Sequence, residues 1–180
     1  MSLADLDVEQ LAALVCRALE AQGIHAVLTG GSCVSVWSEN EYASNDLDFV
    51  TLGLESNRAI GLALKEIGFT QDRKGRYFTH PETDMFVEFP TGPLMVGDEH
   101  VEEQRVANRE TETGVVRLLN PTDCIKDRLA SYYYWGDEQC LEQALMVAHR
   151  QAVDWEGLKL WHRREGKSKH FDAFKEAALE

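Results

Sequence analysis

The chain has 180 residues, 44% apolar and 27% charged, with a formal net charge of −13 at neutral pH. That length and balance suit one domain, or one core with a helical appendage, and exclude wholesale disorder. The acidic excess argues against a broad nucleic-acid-coating surface, which would neutralise phosphates with lysine and arginine. No run approaches the roughly 18 apolar residues that cross a bilayer. Met1-Ser2-Leu3-Ala4-Asp5 lacks the basic start and apolar stretch of a secretory signal, so a cytoplasmic location with no membrane partner is the expectation. Cys16, Cys33, Cys124 and Cys140 show neither CxxC nor Cys/His zinc spacing and read as small buried hydrophobes.

In chain order, Val8, Leu11, Ala12, Val15 and Leu19 recur at helical spacing, predicting an amphipathic helix from Val8 to Gln22 that Gly23 ends. Ile24 to Leu28 reads as a short strand, and Gly30-Gly31-Ser32 as a turn that starts a second helix through Trp37. Leu47 to Thr51 is a strand. Ser56 caps a helix with a stripe of Ile60, Ala63, Leu64 and Ile67, closed by Gly68. Phe69 to Gln71, Tyr77 to Thr79 and Met85 to Phe89, separated by turn residues, predict an antiparallel meander. Pro90 to Gly97 reads as loop, and Val115 to Leu119 as a last strand. Asn120-Pro121 starts a helix, with proline at the first helical position and Asp123 in the first turn. Leu141, Ala144, Leu145 and Ala148 mark the next helix, followed by Trp155 to Arg164 and His170 to Leu179. The expected fold class is α+β: a mixed sheet flanked by helices over residues 1–118, then a helical C-terminal part over 119–180 that shares its core.

Asp46-Leu47-Asp48-Phe49 carries the chemistry. Side chains at i and i+2 leave a strand on one face, so Asp46 and Asp48 project together while Leu47 and Phe49 point into the core. Two such carboxylates can bracket two hard cations about 4 Å apart. Glu88, in Phe86-Val87-Glu88-Phe89, offers a third on a strand able to lie alongside. The bland alternative is a strand end exposing its aspartates to water. Gly30 and Gly31 allow close backbone approach to a ligand, the helix behind them offers free N–H groups to an anion, and Ser32 adds a hydroxyl; a Gly-Gly between strand and helix is also a common tight turn.

Strand, Gly30-Gly31-Ser32, helix, Asp46-x-Asp48 and a later Glu88 together resemble the nucleotidyltransferase superfamily with the DNA polymerase β-like catalytic fold. The segment Asn120 to Leu129 looks like the helix that follows the catalytic sheet in small bacterial nucleotidyltransferases, including toxin-type ones. The resemblance covers about residues 24 to 135. It implies transfer of a nucleoside monophosphate from a nucleoside triphosphate such as ATP to a hydroxyl on tRNA, a small molecule or a protein. Asp46, Asp48 and Glu88 would hold magnesium or manganese, Glu88 would serve as base, and Gly30, Gly31, Ser32 and Lys126 would meet the phosphates. A regulatory or antitoxin partner is also implied. The family more commonly has aspartate where Glu88 stands. Read locally, Lys126 is equally a surface lysine paired with Asp123. The rival function is a non-catalytic nucleotide- or partner-binding module of the same fold. Lys159, Arg163, Arg164, Lys167 and Lys169 form a basic cluster that either meets a polyanion or is a solvated helix face. Tyr132, Tyr133, Tyr134 and Trp135 either stack on a base or pack between helices.

Overall fold

The structure, a computed structural model, describes residues 2–180. Helix α1 (Val8–Glu20) starts in a reciprocal cap between Asp7 and Gln10 and buries the expected stripe of Val8, Leu11, Val15 and Leu19. Strand β1 (Ala26–Thr29) runs directly into α2 (Gly30–Trp37), and β2 (Asp46–Thr51) returns antiparallel to β1. Ser56 caps α3 (Asn57–Lys65) by accepting from Ala59 N–H at 3.2 Å. The meander follows as β3 (Thr70–Gln71), β4 (Tyr77–His80) and β5 (Thr83–Glu88).

Two departures from the expected elements follow. The stretch read as loop ends in a small hairpin, β6 (Met95–Val96) with β7 (Glu99–His100), held by backbone pairing too short to leave a sequence period. Strand β8 (Ala107–Thr111), which was not expected, pairs antiparallel with β9 (Gly114–Leu118). Its sequence, Ala-Asn-Arg-Glu-Thr, is polar because it forms the sheet edge. The half-buried Arg109 nevertheless pairs with Glu9 at 2.6 Å and lies over the Trp37 ring.

The seven-stranded mixed sheet has the order β3-β4-β5-β2-β1-β9-β8, with β2–β5 and β1–β9 parallel. Four helices complete the chain: α4 (Pro121–Trp135), α5 (Glu138–Arg150), α6 (Trp155–Arg164) and α7 (Ser168–Leu179). Helix α2 sits between the sheet and the α4–α5 pair. One apolar cluster runs from Leu6 through Leu28, Phe49, Leu118 and Ile125 to Ala178, joining the sheet to the C-terminal helices. Among the described residues no helix is long and apolar enough to cross a membrane.

Candidate active site

The alternation along β2 is as the sequence reads: Leu47 and Phe49 are fully buried and Asp46 and Asp48 face the other way, half-buried. Strand β5 lies beside it in parallel register, with Glu88 opposite Asp48 and Phe86 opposite Asp46. All three candidate carboxylates therefore share one sheet face, each in a different electrostatic situation. Ser44 Oγ donates to Asp46 Oδ1 at 2.6 Å. Arg76 Nε donates to Glu88 Oε1 at 2.8 Å. Asp48 is pushed up to about 7, first by burial, then by the charges of Asp46 and Glu88; Asp127 adds to the push and Arg128 opposes it.

The turn before α2 makes this arrangement possible. Gly30 has φ +63°, and a Cβ there would lie 2.6 Å from Asp48 Oδ2. Only glycine gives both the left-handed conformation and room for the carboxylate. The Gly30 N–H donates to Asp127 Oδ2 at 3.3 Å, and Arg128 Nη2 donates to the same oxygen at 2.6 Å. A helix N-terminus attracts an anion; the carboxylate of Asp127, reaching across from α4, meets that demand. Burial alone would depress the Arg128 guanidinium, but Asp127 beside it holds it above its ordinary range. Gly31 lies against Tyr42 and Ser44, where a Cβ would come within 3.1 Å of the tyrosine ring. Ser32 is fully buried and its hydroxyl donates to the Thr29 carbonyl at 3.1 Å, so that hydroxyl does not face a ligand.

Lys126 is also placed differently from the phosphate role the resemblance implies. Its Nζ donates to Glu99 Oε1 at 2.9 Å and lies 3.3 Å from Asp123 Oδ1, with the residue 5% exposed. Successive helical residues project about 100° apart, so Lys126 and Asp127 serve different faces of α4. The Asp123 pairing expected of a surface lysine is present, but buried. Lys126 lines a cavity of about 490 Å³ with Glu99, Arg105, Asp123 and Arg164. The α4 residues that do reach the carboxylate face are Asp127 and Arg128, its immediate neighbours in the sequence.

The donor set fits a hard divalent cation in kind: three carboxylates on adjacent strands, with Asp48 pushed up first by burial and then by the charges of its two neighbours. As the side chains stand, no three His, Cys, Asp or Glu among the described residues converge tightly enough to hold a metal ion. Asp46 is bonded to Ser44 and Glu88 to Arg76.

Two solved structures share this architecture. An antigenic nucleotidyltransferase-like protein from Paracoccidioides brasiliensis superposes with a TM-score of 0.62 at 12% identity, over 97% of this chain and 95% of that one. The fold is nucleotidyltransferase-like. The antibiotic-resistance factor ANT(2'')-Ia gives 0.53 at 14% identity, over 92% of this chain and 96% of that one. No family model matches the sequence, and neither does any curated protein. In this chain the sheet order puts β2 and β5 side by side, with α2 packed on β2.

The C-terminal features divide between the two readings the sequence allowed. Tyr133 packs among Trp161, His162 and His170, whereas Trp135 is 86% exposed. Of the basic cluster, Lys159 lies over Phe171, Lys167 over Tyr133 and Tyr134, and Arg164 pairs with Glu99. These three cations are engaged with the protein's own side chains.

Proposed function

We propose that the protein is a metal-dependent nucleotidyltransferase that moves a nucleoside monophosphate from a nucleoside triphosphate to an acceptor hydroxyl. The observation that carries this reading is the parallel register of β2 and β5, which sets Asp46, Asp48 and Glu88 on one sheet face with the Gly30 turn against Asp48, in a nucleotidyltransferase-like fold. Asp46, Asp48 and Glu88 would hold magnesium or manganese, which supplies Lewis-acid stabilisation of charge on the phosphates. The backbone at Gly30 and Gly31 lets the triphosphate approach the carboxylates closely. In the transfer, the acceptor oxygen bonds to the α-phosphorus as its bond to the pyrophosphate oxygen breaks. The acceptor's proton passes to the carboxylate of Glu88. Arg128, held by Asp127, supplies fixed positive charge behind the cluster. Most of the acceleration would come from positioning and charge stabilisation.

The acceptor class is weighted by charge. With a net charge of −13 and three of the C-terminal cations engaged internally, the protein suits a small neutral or cationic acceptor better than tRNA. A protein acceptor, a regulatory partner and a cytoplasmic location belong to the same reading.

The non-catalytic alternative draws on Asp127, which takes the Gly30 N–H where a phosphate would go, and on the pairing of Glu88 with Arg76. Thermal unfolding with each of the four nucleoside triphosphates, with and without magnesium, separates the two. A ligand at 100 times its dissociation constant stabilises by about 2.7 kcal/mol, a shift of several degrees for a domain of this size. A magnesium-dependent shift that an Asp46→Ala/Asp48→Ala variant loses, together with pyrophosphate release in the presence of an acceptor, supports the enzyme. A shift without turnover supports the binding module.

A further inference from the structure

Arg76 stands on the turn between β3 and β4, and its root is fixed. The Asp72 carboxylate accepts from the N–H groups of Lys74, Arg76 and Tyr77 at 3.4, 2.7 and 2.9 Å, locking the turn. The side chain beyond that root is 62% exposed and rests on the Tyr77 ring, 4.8 Å from its centre. Tyr77 in turn meets Phe86 edge-on at 4.8 Å, and Phe86 stands opposite Asp46 in the register. The guanidinium thus reaches the candidate metal face over a short aromatic ledge. There it bonds Glu88 through Nε alone, leaving the two Nη groups without a carboxylate partner among the described residues. A guanidinium fork free on that side matches a phosphate bidentately.

A divalent cation and a guanidinium compete for one carboxylate, because each demands its lone pairs and they repel one another. We propose that Arg76 is a place-holding cation: it neutralises Glu88 while no metal is bound and transfers to the nucleotide's phosphates when a metal ion takes Glu88. Arg76 is therefore a positioning residue, setting where Glu88 points before loading and where the phosphates lie after it. This inference rests on the nucleotidyltransfer reading.

The test uses two probes that need no turnover and no knowledge of the base: Mn²⁺ alone, followed by electron paramagnetic resonance, and magnesium tripolyphosphate, followed by calorimetry. Both are titrated into the native protein and Arg76→Ala. Mn²⁺ binding tightens in the variant by about two- to fivefold, the scale an exposed ion pair permits. Tripolyphosphate binding weakens roughly threefold through loss of the charge-assisted pair. A merely structural role would move both affinities the same way. Unchanged or weaker Mn²⁺ binding in Arg76→Ala, or unchanged tripolyphosphate binding, overturns the proposal while leaving nucleotidyltransfer standing. A folded native protein that binds neither probe overturns both.

Discussion

Two clusters of charge lie on either side of α4, and they are balanced in opposite ways. On one side, Glu99 and Asp123 meet Arg105, Lys126 and Arg164. Glu99 receives Lys126 at 2.9 Å, Arg105 at 2.8 Å and Arg164 at 3.4 Å, and Asp123, 1% exposed, is paired with Arg105 and Lys126. Against the cost of burial, Lys126 and Arg105 hold the Glu99 carboxyl below its ordinary range. On the other side, Asp46, Asp48 and Glu88 face one guanidinium shared with Asp127 and one exposed arginine, and Asp48 rises to about 7. A saturated network stabilises the fold. An undercompensated one is what the proposed cation would neutralise.

The largest effect that would break this comparison is on the saturated side. Asp123→Ala leaves Arg105 and Lys126 short of a buried partner and removes the acceptor on which Asn120 also donates. Urea unfolding should show a loss of about 3 kcal/mol. A loss below about 1 kcal/mol would mean that the network is not structural.

On the poised side the sign reverses. The folded-state value of Asp48 lies above its unfolded one, so its contribution is favourable at low pH and is lost as pH rises from about 4 through about 7. Asp48→Asn removes that loss: at pH 8 the variant should be more stable than the native protein by roughly 1–3 kcal/mol, with a flatter pH profile, while transfer is abolished. A destabilised Asp48→Asn at pH 8 would contradict the account.

Gly30→Ala should cost about 1–3 kcal/mol, from the left-handed backbone and the approach to Asp48 Oδ2. The clash portion should shrink in an Asp48→Gly background, measured as a double-mutant cycle. Smallest of all, Arg76→Ala should leave stability within about 0.5 kcal/mol, because its pair with Glu88 is exposed.

Much of this was legible in the sequence wherever the pattern is local. Residue alternation placed Leu47 and Phe49 inside and Asp46 and Asp48 outside, and the Gly30-Gly31 turn between apolar strand and helix announced itself. What local pattern does not encode is which face of a polar helix is covered. Lys126, Asp127 and Arg128 are all charged and adjacent, and only the packing of α4 against α2 on one side and the β6–β7 hairpin on the other sends Lys126 to Glu99 and Asp127 to Gly30. The Gly30–Asp127 contact spans 97 positions and has no periodic trace. Strand β8 was hidden because an edge strand carries polar residues on both sides. Ser32 was read as a donor from its residue type, whereas its place in α2 turns it inward to Thr29.

The central claim, that Asp46, Asp48 and Glu88 form a cation seat short of positive charge, is tested most directly by the protons it releases. Metal binding to a carboxylate held near pH 7 must expel the proton it still carries. Calorimetric titration of Mg²⁺ at pH 7, in two buffers of different ionisation enthalpy, should show net proton release that falls towards zero at pH 9 and is absent in Asp48→Asn. Magnesium binding without proton release at pH 7, or equal release in Asp48→Asn, would contradict the account.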